Sequence, residues 1–198
     1  MSQVARILER YEITYVLVGS LASSMHGMYR STAHIDLLAD VKPEHVQPLL
    51  DALNKSFYVD EHAVQQAVEQ RRSFNAIHFD SVFKVDIFIA KADDFARKQL
   101  ERRELRKIAP EIDQFIYVAT AEDTVLAKLR WYREGDEVSN NQWSDVLGVL
   151  GAQSVSTTTC ASGRISSELW ISWRGRFYLS KANSLTQGTH DLPSPGRH

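Results

Sequence analysis

Cysteine is nearly missing from this 198-residue chain: Cys160 is the only one, so no internal disulfide can form. No Cys/His cluster shows the spacing of a zinc site, and a reducing compartment fits best. Long apolar runs are missing too. None approaches the roughly 18 residues needed to span a bilayer, and the N-terminal segment MSQVARILERYEI carries charges throughout. The expectation is a soluble, cytoplasmic protein with no membrane partner. An excess of either charge is also lacking, with 23 Lys+Arg against 25 Asp+Glu, so a polyanion would have to be held locally rather than by a global field. No basic recognition helix or other reading module for DNA is visible.

The length suits one ordinary domain or one domain with a tail. Val4, Ile7, Leu8 and Tyr11 follow helical spacing, and YVLV (15–18) then reads as a buried strand closed by Gly19-Ser20. LASSMHGM reads as a helix leading into a second strand, IDLLADV. After Pro43, Val46, Leu49, Leu50 and Leu53 predict a helix. FNAIHF (74–79) and FKVDIFIA (83–90) form a hairpin pattern around Asp80-Ser81-Val82. The charged run DDFARKQLERRELRK reads as one solvated helix, whose RKQLERRELRK portion could assist an RNA substrate, and QFIYVA (114–119) as an edge strand. Two helices with capping patterns follow, one opened by Thr120-Ala-Glu-Asp123 and one by Ser139-Asn-Asn-Gln142. The predicted domain is 1–152.

Beyond it, residues 153–198 are rich in Ser and Thr, with Gly and Pro near the end, and their apolar residues keep no period. They read as a poorly ordered tail. So abrupt a loss of pattern suggests a changed reading frame, which would leave Val146, Leu147 and Leu150 under-packed.

Three features in order carry a phosphoryl-transfer logic. Gly19 lets backbone approach a triphosphate, while Ser20 and the first amides of the next helix can donate to phosphate oxygens. Residues 34 and 36 lie two apart on a strand and share a face, where Asp86 from a neighbouring strand could meet them. Three acids so placed could hold two Mg²⁺ ions, but position 34 is His. His34 reads either as a hydrogen-bonded histidine in a vacated metal position or as a nitrogen ligand. Asp123 reads as a helix-start residue, and Trp131 and Trp143 as core.

LVGSLASSMHGMYRSTAHIDLLADV followed by FKVDIFI resembles the nucleotidyltransferases of the polymerase-beta superfamily, in particular the AbiEii-type and minimal groups associated with toxin–antitoxin pairs. The resemblance covers roughly residues 3–150. It implies an α/β (α+β) nucleotidyltransferase fold, a mixed sheet flanked by helices with a C-terminal helical part, binding NTP and Mg²⁺, or Mn²⁺. It matches Gly19 and Ser20 to the phosphate loop, Arg30 and Thr32 to the approach to the acids, and Asp36 and Asp86 to the second and third catalytic and metal-binding acids. His34 stands where the family has its first acid. Lys128 and Asp145 match charged positions facing the nucleotide, with Lys128 able to neutralise a phosphate. The implied reaction is transfer of NMP to an RNA, such as tRNA, or to a protein, with a cognate antitoxin as partner. The rival is a catalytically silent nucleotide-binding or interaction module, a degenerate pseudoenzyme.

Overall fold

The computed structural model describes residues 2–27, 32, 34–109, 112–134 and 140–152. The expectations for Arg30 and for the tail at 153–198 therefore lie outside the described residues.

The chain runs α1 (Ser2–Arg10), β1 (Tyr15–Val18), α2 (Gly19–His26), β2 (His34–Ala39), a 3-10 turn (Pro43–His45), α3 (Val46–Leu53), β3 (Phe57–Tyr58), α4 (Glu61–Gln70), β4 (Ser73–His78) and β5 (Lys84–Ile89). Then come α5 (Asp94–Arg102), β6 (Glu104–Ala109), β7 (Ile112–Val118), α6 (Ala121–Glu134) and α7 (Asn140–Ala152). One mixed seven-stranded sheet has the order β3-β4-β5-β2-β1-β7-β6. Its central strands β2 and β5 are parallel, and β1 is antiparallel to β2.

The strand period of two divides the sheet's faces by chemistry. Ile35, Leu37 and Ala39 of β2, with Tyr15, Leu17, Val85, Ile87 and Ile89, pack into the large core beside Leu8, Leu49, Leu53 and Val64 of α1, α3 and α4. Each fully buried leucine there contributes about 2 kcal/mol. On the other face a smaller core gathers Val16, Val18, Ala96, Leu100 and Ala119, with Leu38 and Trp131 against it. His34 and Asp36 share that second face with Leu38.

Local chemistry sets the helix ends. Asp60 caps α4 by accepting from the Ala63 amide at 2.9 Å, and Asp93 caps α5 by accepting from the Ala96 amide at 2.8 Å. At α6 the Thr120 hydroxyl accepts from the Asp123 amide at 3.1 Å. The end of α2 packs directly on α7: a methyl group on Gly27 would lie 2.7 Å from the Gly148 backbone.

Three readings of the sequence need correction. The charged run is not one solvated helix. Its first part forms α5, which buries Ala96, Gln99 and Leu100, and Glu104–Ala109 is strand β6. QFIYVA is consequently not an edge strand, because β7 lies between β1 and β6. Val146 is not under-packed but fully buried with Val125 and Val149, while Leu147 and Leu150 are half-buried. Trp143 is half-buried against the Tyr132 ring, at 5.8 Å between centroids. Among the described residues no helix is long and apolar enough to cross a membrane.

Candidate metal and nucleotide site

Strand pairing builds the site in rungs. In β2 and β5, His34 faces Lys84, Asp36 faces Asp86, and Leu38 faces Phe88. Val18 of β1 extends the acid rung as the partner of Asp36. Partners across a ladder and residues two apart along a strand project to one side, so these groups share a face.

The ligand atoms of His34, Asp36 and Asp86 all lie within 4.8 Å of one another. His34 Nε2 is 3.6 Å from Asp36 Oδ1, and Lys84 Nζ is 2.9 Å from Asp86 Oδ2. Asp36 is 7% exposed. Burial pushes its carboxyl above the ordinary value of 3.8 and Asp86 pushes it further, while His34, Lys128 and Lys84 pull it down. Two carboxylates so close repel each other unless a cation or a proton intervenes. The donor set therefore fits a divalent cation.

Gly19 makes the close approach possible. Its φ of +71° lies in the left-handed region that glycine alone adopts freely, and a β-carbon there would sit 2.0 Å from Asp36 Oδ2. The start of α2 thus rests against the acid. No side chain caps this helix start, so its first amides are not satisfied by a side-chain cap.

The structure brings Gly19, His34, Asp36 and Asp86 together. Thr32 turns inward on the backbone: its hydroxyl donates to the His34 carbonyl at 2.8 Å and fixes the entry to β2. Lys128, 2% exposed, is ion-paired with Asp145 at 2.8 Å and donates to Ser20 Oγ at 3.2 Å. These three groups join α2, α6 and α7 next to the acid rung. Asp123 is a helix-start residue, as read, but its buried side chain also forms an ion pair with the partly exposed Arg102.

Lys84 was missed by sequence reasoning. Its signal was available, since Lys-x-Asp on a strand puts both side chains on one face.

Residues 1–157 match the protein family described as "Nucleotidyltransferase of unknown function (DUF6036)". The chain belongs to this family. No curated protein sequence matches it. Among solved structures, this nucleotidyltransferase is similar to an antigenic nucleotidyltransferase-like protein from Paracoccidioides brasiliensis, with 15% identity, TM-score 0.57, and 94% of this chain and 88% of that one covered. It is also similar to the antibiotic-resistance factor ANT(2'')-Ia in its solution structure, with 11% identity, TM-score 0.51, and 93% and 94% covered. The crystal structure of ANT(2")-Ia in complex with adenylyl-2"-tobramycin gives 14% identity, TM-score 0.50, and 88% and 95% covered. At these identities the likeness establishes the nucleotidyltransferase fold. The rungs of β2 and β5 supply this chain's candidate metal group.

Proposed function

We propose that this nucleotidyltransferase binds an NTP and a divalent cation and transfers the NMP to an acceptor hydroxyl. The observation that carries the reading is the clustering of His34, Asp36 and Asp86 within 4.8 Å beside a glycine-opened helix. Asp36 and Asp86 hold the cation and His34 adds a nitrogen ligand. Mg²⁺ prefers an all-oxygen octahedron, so this mixed set suits Mn²⁺ better. When bound, the cation neutralises phosphate charge and polarises the reacting oxygen.

The chain's own groups do the rest. Gly19 and the amides at the start of α2 take the triphosphate, and Ser20 is held in place by Lys128 and Asp145. The resemblance assigns Arg30 and Thr32 to the approach to the acids. The acceptor oxygen bonds to the α-phosphorus, the bond from that phosphorus to the pyrophosphate oxygen breaks, and the hydroxyl proton passes to Asp86. The resemblance to AbiEii-type proteins extends the reading to an RNA acceptor, tRNA included, or a protein acceptor, with a cognate antitoxin as partner.

A second reading, a silent nucleotide-binding module, is favoured by one observation: the Lys84 ammonium already neutralises Asp86 while His34 replaces the first acid. Transfer of label from each of four labelled NTPs to total tRNA and to protein, with Mg²⁺ or Mn²⁺, separates the two. Transfer by the natural chain establishes the enzyme, whereas transfer only after His34→Asp establishes the silent module. No transfer and no cation-dependent NTP binding in either chain would sink both readings.

A further inference from the structure

Below the acid rung, on the same face of the sheet, lies a cavity of about 440 Å³, within the range of small-ligand sites. Its floor is the next rung, Leu38 and Phe88, with Val18 shared with the acids. α5 and α6 wall it with Phe95, Gln99 and Trp131. One rung is two residues, about 6.6 Å along a strand.

Three properties of the lining select a ligand. Four cationic side chains, Arg71, Arg72, Lys91 and Arg130, stand against one carboxylate, Asp93. That carboxylate is already taken: Arg130 Nη1 is 3.8 Å from Asp93 Oδ2, with its guanidinium 4.8 Å above the Phe95 ring. The aromatic groups Phe88 and Trp131 meet at 6.1 Å with a 37° tilt, and such rings take a flat heterocycle as a stacking partner. Gln99 is 4% exposed, and its amide nitrogen has no acceptor among the described residues. A buried donor without a partner is costly, and a ring nitrogen or carbonyl entering the cavity would satisfy it.

We propose that this cavity is the acceptor site and that the acceptor is a nucleotide. Its base lies among Phe88, Phe95 and Trp131, Gln99 donates to the base, and Arg71, Arg72 and Lys91 hold its phosphate. A ribose hydroxyl then faces Asp86. This assignment rests on the transferase reading above and names its acceptor class. A polycationic acceptor such as an aminoglycoside is repelled by the same rim.

Binding is measured in EDTA and low salt, with a fluorescent ribotrinucleotide, AMP and tobramycin as the probes. The trinucleotide or AMP binds, tobramycin does not, and Arg72→Glu weakens the nucleotide about tenfold with a reduced salt slope. Gln99→Leu weakens binding about tenfold while the thermal midpoint holds or rises, because an unpaired buried amide has been removed. A trinucleotide at least tenfold tighter than AMP identifies the end of an RNA, and equal affinities identify a free nucleotide. Preference for tobramycin, no nucleotide binding, or affinities untouched by both variants overturns the assignment. Because binding is read without a cation, nucleotide binding here together with no transfer in the labelled-NTP assay would count against the reaction and not the cavity. Transfer to another acceptor without nucleotide binding would do the reverse.

Discussion

Asp36 and Asp123 are both buried acids, yet the protein treats them in opposite ways. Asp123 is fully buried and receives the Arg102 guanidinium through two nitrogens, with the Thr120 hydroxyl beside it. Burial raises its carboxyl, and Arg102 and Thr120 pull back. Asp36 is buried almost as deeply, but its nearest titratable neighbours are a second acid and a histidine 3.6 Å away. A buried charge with its counter-ion built in is structure, whereas Asp36 is set beside a second acid whose own ammonium partner is Lys84, an arrangement that fits a cation.

The comparison breaks most visibly at the acids themselves. Asp36→Asn is expected to lower label transfer on the order of a thousandfold. In the same chain, urea denaturation without added cation should show stability unchanged or raised, because an uncompensated charge has gone. Arg102→Ala should do the converse, costing about 3 kcal/mol in urea denaturation because Asp123 is left buried without its partner. Equal destabilisation by the two substitutions would erase the distinction.

A smaller effect is expected from His34→Asp, which replaces nitrogen with oxygen at the cluster. Mg²⁺ affinity should rise by about tenfold in titration calorimetry, and the preference for Mn²⁺ should shrink. An unchanged metal preference would place His34 outside the ligand set.

The smallest effects are in pH. With Asp36 raised in the folded state, the fold binds more protons than the unfolded chain above 3.8, so cation-free stability declines as pH rises through the folded value. Saturating Mn²⁺ should remove that decline. His26, whose Nε2 meets the Ala119 carbonyl at 2.6 Å, is lowered mainly by burial. It contributes stability present above its ordinary 6.5 and lost as pH falls through the folded value. Thermal midpoints across pH for the natural chain, Asp36→Asn and His26→Gln separate the two slopes.

Where hydrophobic period and burial agreed, the sequence was readable. YVLV is β1 residue for residue, and the strand read as IDLLADV is β2, shifted to His34–Ala39, with Ile35, Leu37 and Ala39 in the large core. The segment at 104–109 misled because β6 is the sheet's outer strand: Leu105 is 56% exposed, and the charges around it look the same in a solvated helix. β3 has only two residues and α4 little apolar content, so neither gave a signal. At the candidate site, the shared face of His34, Asp36 and Asp86 was legible because the two-residue period of a strand sets it. The tie of Lys128 to Asp145 and Ser20 was not, because it joins three helices and no spacing encodes it. The orphan amide of Gln99 is likewise visible only once α5 is seated on the sheet.

The register of β2 with β5 makes the candidate metal group a gauge of folding. Asp36 and Asp86 are fifty residues apart in sequence and meet only when the two strands pair as partners. A slip of one residue would turn Asp86 into the apolar core and bring Val85 or Ile87 to the site. A cation that binds here therefore recognises the correctly assembled sheet, and at a concentration 100 times its dissociation constant it would stabilise that sheet by about 2.7 kcal/mol. If the group holds a metal as proposed, titration with that metal would count the molecules whose central strands are in place.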